Sequence, residues 1–343
     1  MKTVLVTGGT GYIGSHAIVE CLQSGYQVVV LDDLSNSSSE VLVRIKDITG
    51  VSPIFFEGSI CDGELLARIF SAYSIDFVIH FAGVKAVGES VEDPLKYYNN
   101  NVLGSIVLCR TMASMNVYRL VFSSSATVYG ESSEMPLRED SCSAAPTNPY
   151  GRSKLMVEQM LLDLANSDSR WSIAILRYFN PVGAHASGLI GEHPKGTPNN
   201  LFPYISQVAV GLRPSVSVFG NDYPTPDGTG IRDYIHVVDL AKGHLSALDY
   251  LDIHNGCFLW NLGTGRGYSV LEVITAFSTI SQMDIPFQYL KRRPGDLAEC
   301  WSNPSKAEED LGWTASLDLY AMVGDSWRWQ TLNPRGYDRE EEN

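Results

Sequence analysis

Tyr150 and Lys154 stand four residues apart, directly after Asn148-Pro149. Proline is tolerated in the first turn of a helix, so this pair reads as a helix start, and residues at i and i+4 then share one face. A phenol beside an ammonium can do proton chemistry. Tyrosine, with an ordinary pKa of about 10, is a poor base near neutrality, but an adjacent positive charge favours the phenolate and brings it toward a useful range. Twenty-five residues earlier, Ser125 ends the run Val121-Phe122-Ser123-Ser124-Ser125. That run leaves a strand at its carboxyl end, where ligands of open α/β sheets bind, and a hydroxyl there could bridge a substrate oxygen and the phenol. By itself Tyr-x-x-x-Lys is a common surface pair, and a loop serine is most often solvated. The rest of the chain decides.

A different chemistry is written in Thr7-Gly8-Gly9-Thr10-Gly11-Tyr12-Ile13-Gly14, between a strand pattern and a helix pattern. Glycines at 8, 11 and 14 permit a tight turn and a close backbone approach to a pyrophosphate at the helix N-terminus. Asp32 follows Gly14 by 18 positions, at the end of the next strand, and Asp33 adds a second negative charge. A carboxylate there accepts a bond from a ribose hydroxyl and repels a 2′-phosphate, so the expected cofactor is NAD rather than NADP. Its positive nicotinamide ring would further favour the Tyr150 phenolate. A second glycine run, Asn261-Leu262-Gly263-Thr264-Gly265-Arg266-Gly267, has no acidic residue ending the strand-like segment that follows, Pro286–Leu290, and reads as a structural turn.

These residues need a scaffold. Val4–Val6, Val28–Leu31, Ile54–Phe56, Phe77–His80, Leu120–Ser123 and Ile173–Leu176 read as strands, with helices at Tyr12–Ser24, Glu64–Tyr73, Pro94–Met115 and Pro149–Leu164 between them. Apolar strands separated by helices imply a parallel sheet covered on both faces. The expected fold is α/β, a Rossmann-type doubly wound parallel sheet with a second, smaller α/β substrate-binding lobe. Residues 1–179 form the expected NAD-binding domain. Residues 180–343 form mainly the substrate domain, some of whose segments return to the first. Residues 180–230 are rich in Gly, Pro and Asn, with one helix near Phe202–Val210, and suit binding loops. The tail from Asn333, with Glu340-Glu341-Glu342, is expected to fray.

Of the 343 residues, 44% are hydrophobic, which fits a globular core. With 25 Lys+Arg against 39 Asp+Glu the net charge is −14, which argues against nucleic-acid binding. Cys21, Cys61, Cys109, Cys142, Cys257 and Cys300 show no zinc or redox spacing, so no metal is expected and the thiols fit a reducing cytosol. Neither a signal core nor a membrane-length apolar run is present in the sequence, and the expectation is a soluble cytoplasmic protein with no membrane partner.

The glycine turn, the serine strand and the Tyr/Lys pair together resemble the extended short-chain dehydrogenase/reductase family and, within it, the UDP-hexose 4-epimerases. The likeness extends over nearly the whole chain, through VTGGTGYIGSH (6–16), HFAGVKAVGES (80–90), FSSSATVYG (122–130), PYGRSKLMVEQ (149–159), LRYFNPVGAH (176–185), PNNL (198–201), VFGNDYPTPDGTGIRDYIHV (218–237) and RRPGDLAECW (292–301). It implies a 4-epimerase that oxidises and re-reduces one sugar carbon with tightly bound NAD. Tyr150 would be the base, Lys154 its electrostatic partner and Ser125 a third catalytic contact. The resemblance places the cofactor against Gly8, Gly11, Tyr12, Ile13, Gly14, Asp32, Asn36, Phe81, Ala82, Lys85, Asn100, Ser123, Tyr150, Lys154 and Phe179. It places the UDP-hexose against Ser125, Tyr178, Asn180, Asn200, Leu201, Ser217, Phe219, Arg232, Arg293, Asp296 and Cys300. It also implies a homodimer built on helices 94–115 and 149–164, the first with an apolar stripe at Leu95, Tyr98, Val102, Ile106 and Cys109. Three positions depart from the usual pattern. Ser59 stands where an aspartate commonly meets adenine, Asp33 where an asparagine is common, and Cys300 where many bacterial members have tyrosine. A small residue at 300 implies room for N-acetylated sugars. A 4,6-dehydratase of the same family would need carboxyls after Ser125, where Ala126 and Thr127 stand and the first carboxylate is Glu131. A non-catalytic NAD-sensing module would lack the Tyr-x-x-x-Lys pair.

Overall fold

The computed structural model describes residues 1–131, 135–141, 146–293 and 295–338. Cys142 and the acidic run 340–342 lie outside them. The first strand, β1 (Thr3–Thr7), is buried along its whole length. Side chains alternate across a strand, so Val4 and Val6 enter one apolar cluster with Ile18 and Trp260 while Leu5 enters another with Leu66 and Leu161. A strand that buries both faces must lie inside a covered parallel sheet, and the following elements build it. In order they are α1 (Tyr12–Gln23), β2 (Gln27–Asp32), α2 (Glu40–Thr49), β3 (Ile54–Glu57), α3 (Gly63–Ala72), β4 (Phe77–His80), α4 (Val87–Glu92), α5 (Pro94–Tyr97), a π-turn (Tyr98–Leu103), α6 (Gly104–Ser114), β5 (Arg119–Ser125), α7 (Pro149–Ser167) and β6 (Ser172–Tyr178). There follow β7 (Asn180–Val182), α8 (Leu201–Ala209), β8 (Val216–Phe219), β9 (Ile231–His236), α9 (Val237–Ile253), β10 (Gly256–Leu262), β11 (Gly267–Ser269), α10 (Val270–Ser281), β12 (Phe287–Leu290), β13 (Glu299–Cys300), α11 (Ser305–Leu311) and α12 (Leu319–Leu332).

Seven parallel strands run in the order β10-β6-β5-β4-β1-β2-β3. The order reverses at β1, so a crevice opens beyond the carboxyl ends of β1 and β4, the place where such sheets bind ligands. The glycine turn leaves β1 and Phe81-Ala82 leaves β4 at that crevice. Beside the large sheet lies a small one, β11-β9-β13 with β7 on β9, and a two-stranded pair, β8 with β12. A third core of Phe202, Val216, Phe277 and Met322 supports them.

The helix expected over 94–115 is interrupted. Its middle winds as the π-turn, which inserts extra residues and shifts the phase of everything after it. The apolar stripe therefore does not hold one face: Leu95 is 76% exposed while Cys109 is 4% exposed. Sequence reading also passed over α2, a short helix closed by Gly50 in the left-handed conformation at φ 76°, while the strand-like segment leading into the second glycine run is β10, which pairs with β6 from far along the chain. The second glycine run is a structural turn, as expected. The buried carboxylate of Asp233 accepts from the backbone N–H groups of Thr264 (2.8 Å) and Gly265 (3.1 Å) and from the Thr264 hydroxyl (2.7 Å).

Candidate active site

Three elements converge at the crevice. The glycine turn is as tight as its composition suggests. Gly8 sits at φ +70°, where a Cβ would meet the Ala82 backbone nitrogen at 2.6 Å, and a Cβ on Gly14 would stand 2.4 Å from the Gly8 carbonyl oxygen. Only hydrogens fit there. α1 begins at Tyr12 with no side chain capping it, so its first-turn N–H groups face the crevice as an anion site. At the carboxyl end of β2, Asp32 is held in place. Its Oδ2 accepts from Thr10 N (3.0 Å), and its Oδ1 from Leu34 N (2.9 Å) and the Ser37 hydroxyl (3.1 Å). The glycine cradle, the uncapped helix start and the fixed carboxylate fit a dinucleotide without a 2′-phosphate. Phe81 and Ala82 donate their N–H groups to Thr7 O at 2.9 and 3.0 Å, which lays them against the turn. Asn36 is exposed beyond Asp32. Ser59 accepts from Cys61 N at 3.2 Å within its own loop.

The side chains expected to handle the proton come from α7 and β5. Asn148 caps α7 by accepting from Gly151 N at 2.9 Å. Gly151 lets the helix start press on the loop after β5, since a Cβ would meet Thr127 O at 3.1 Å. Tyr150 is thereby aimed at Ser125. Burial lifts its phenol above the ordinary value, and the hydrogen bond with Ser125 acts in the opposite direction. Burial is the larger effect, and the lowering expected from Lys154 is not among the influences on this phenol. Lys154 is 5% exposed, donates to Ser123 O at 2.7 Å and lies 4.9 Å from the Phe122 ring centre. Burial pulls it down to about 8, while Glu158 acts to raise it. Asn101, which sequence reasoning missed, closes the back of this cluster. Its Oδ1 accepts from Val84 N (2.9 Å) and its Nδ2 donates to Ser153 Oγ (2.9 Å). It belongs to the π-turn, and nothing in the run Asn99-Asn100-Asn101 marks which asparagine turns inward. Asn100, the expected one, is half-buried.

The substrate side is more dispersed. Arg293 stacks on Phe219, with 4.0 Å from guanidinium to ring centre, and lies 3.8 Å from Asp296. Arg232 is on β9 beside Cys300 on β13, the two in parallel register. Cys300 packs against Val128, Tyr129 and Phe179, just past the serine strand, and burial pushes its thiol up to about 11. Ser217 lies on β8 and Asn180 starts β7. Asn200 precedes α8, which opens at Leu201, and donates to Glu192 at 2.7 Å; Lys85 reaches the same carboxylate oxygen at 3.4 Å. Tyr178 is buried beside Ser125 on the neighbouring strand, and its hydroxyl is paired with His244 Nε2 at 2.5 Å.

Residues 4–263 match the model of the NAD dependent epimerase/dehydratase family. The chain is 56% identical over 338 residues to a UDP-glucose 4-epimerase of Bacillus subtilis (strain 168), covering 98% of this chain and 99% of that protein. Among solved structures it matches UDP-glucose 4-epimerase from Bifidobacterium longum in complex with NAD+ and UDP at a TM-score of 0.95 and 52% identity, covering 98% of this chain and all of that one. It matches the enzyme of Stenotrophomonas maltophila, with bound NAD and formylated UDP-arabinopyranose, at 0.96 and 52%, covering 98% and 99%.

Proposed function

The chain belongs to the NAD dependent epimerase/dehydratase family, and we propose that it works as a UDP-glucose 4-epimerase. The observation that carries the reading is the convergence of Tyr150, Ser125 and Lys154 beside a crevice whose glycine cradle and fixed Asp32 suit NAD. Tyr150 is the group that takes the proton of the sugar 4-hydroxyl, through a line of hydrogen bonds that Ser125 completes. Lys154 holds positive charge against the phenolate. NAD supplies the acceptor, and then the donor, of the C4 hydride, and its positive ring adds to the charge that favours the phenolate. Arg232 and Arg293 offer forked donors to the diphosphate inside an otherwise acidic chain. Asp296 accepts from the uridine ribose, and the 4-keto sugar turns about its diphosphate linkage before reduction on the other face. Incubation of the protein with UDP-galactose, with no added reductant, should yield UDP-glucose. Failure to interconvert them removes the reading.

Because the cycle regenerates its cofactor, NAD(H) should stay with the protein through size exclusion. A preparation that needs stoichiometric NADH for each turnover would contradict the mechanism. Among the described residues no helix is long and apolar enough to cross a membrane. Exposed apolar side chains do lie on two neighbouring helical stretches, Leu95 and Leu103 on one, Met156 and Leu162 on α7. They support a homodimer joined through these helices, and light scattering at micromolar concentration should give twice the chain mass; a monomer there counts against it.

A further inference from the structure

Three consecutive serines on β5 each hold a different side chain of one α7 stripe. Ser125 faces Tyr150, the Ser123 carbonyl accepts from Lys154, and the Ser124 hydroxyl donates to Glu158 at 2.5 Å. Residues 150, 154 and 158 repeat every four positions, so they line one edge of the helix. The first two belong to the chemistry described above. Glu158 does not, although it is 3% exposed and sits one turn beyond Lys154. A buried carboxylate is costly to keep unless it is paired and hydrogen-bonded. Here its partner is Arg177, which comes from the neighbouring strand β6 in register with Ser124. Arg177 Nε donates to Oε1 at 3.0 Å and Nη2 to Oε2 at 2.7 Å. The guanidinium in turn lies 4.6 Å from the Tyr129 ring centre, and Tyr129 donates to Asn261 at 2.6 Å.

The geometry points to Glu158 as a positioning residue that keeps Lys154 charged, with Arg177 setting how much of its negative charge Lys154 feels. This rests on the reading of Lys154 as the charged partner of Tyr150. Around the lysine lie Phe122 and the Ser123 carbonyl on β5, Asn101 from the π-turn and His80 on β4, with Tyr150 one turn back on its own helix; Arg177 on β6 and Cys257 on β10 face Glu158. His80 is held well down, at about 3, by burial and by the lysine charge, and burial lifts the Cys257 thiol to about 12. Neither brings a charge near neutral pH. Glu158 is therefore the negative charge that opposes the desolvation of Lys154.

A purely structural ion pair and a charge-setting one differ in what the two partners do when removed. Glu158→Gln takes away a negative charge, so the lysine gives up its proton more readily. Arg177→Met takes away a positive charge and leaves the carboxylate to the lysine, which then keeps its proton to higher pH. The alkaline limb of kcat against pH, measured on NAD-loaded enzyme, should move down by about one pH unit in the first variant and up in the second. The double variant, which buries no unpaired ion, should lie between them. If Glu158→Gln does not fold, the comparison of Arg177→Met with the double variant isolates the same charge. Limbs that coincide with the wild type, or that move in the same direction for both partners, overturn the inference. Lys154→Ala serves as the control. If its profile also matches the wild type, the reading of Lys154 itself fails rather than the role of Glu158.

Discussion

Tyr150→Phe should lower kcat for UDP-galactose by about 10²–10⁴-fold, the contribution typical of a positioned general base, or about 3–5 kcal/mol of barrier. The fold should not notice. The substitution removes one oxygen and keeps the ring, whose edge-on packing with Tyr97 at 6.4 Å between centroids is unaffected. Nor does it orphan Ser125, whose hydroxyl also accepts from Thr127 N at 3.2 Å and the Thr127 hydroxyl at 3.0 Å. NAD should remain bound, since Asp32 and the glycine cradle are untouched, and absorbance of the released cofactor checks this. In Lys154→Ala the phenolate loses a stabilising charge. The phenol, already raised by burial, then ionises at still higher pH, so the acid limb of the pH–rate profile should move upward as turnover falls. Near-normal turnover in Tyr150→Phe would refute the assignment of the base.

What could be read from the sequence was what is local. The glycine triplet, the strand before it and the carboxylate after the next strand are determined within about 30 residues, and the structure joins them through Thr10 N and Asp32. Tyr150 and Lys154 share a helical face by spacing alone. The supporting groups depend instead on contacts that spacing does not encode. Glu158 resembles any charged residue on an exposed helix, and its burial comes from the register that sets Arg177 opposite Ser124. Asn101 is chosen over its two neighbours by a π-turn, for which the sequence carries no periodic signal. That turn also carries the expected apolar stripe from an exposed Leu95 round to a buried Cys109. β10 joins the large sheet beside β6 although residues 179–255 intervene, because parallel strands need only a crossover, of any length, to pair. The Asp233 carboxylate explains why the second glycine run is a turn. The sequence argument had only the lack of an acidic residue after it.

Cys300 leads to the largest expected change in selectivity. Its short β13 pairs with β9 at Arg232, and its side chain packs with Phe179 and Tyr129, one turn past Ser125. On the proposed reading, a side chain at that point borders the space between Arg232 and the hydroxyls of Ser125 and Tyr150, where the sugar ring turns. Cysteine is smaller than tyrosine by a whole phenol ring, and we infer that the difference leaves room for an acetamido group at C2. The protein should then interconvert UDP-N-acetylglucosamine and UDP-N-acetylgalactosamine as well as UDP-glucose and UDP-galactose. Cys300→Tyr returns the ring to that space. Overpacking of a filled site costs about 1–3 kcal/mol, so turnover of the N-acetylated pair should fall by up to about 10²-fold while the plain pair is spared. The thiol itself contributes no charge, since burial holds it up at about 11; the effect is one of volume, and Cys300→Ser should leave both activities in place. Wild-type protein that converts UDP-galactose yet leaves UDP-N-acetylgalactosamine untouched at millimolar concentration would show that neighbouring side chains already fill the gap.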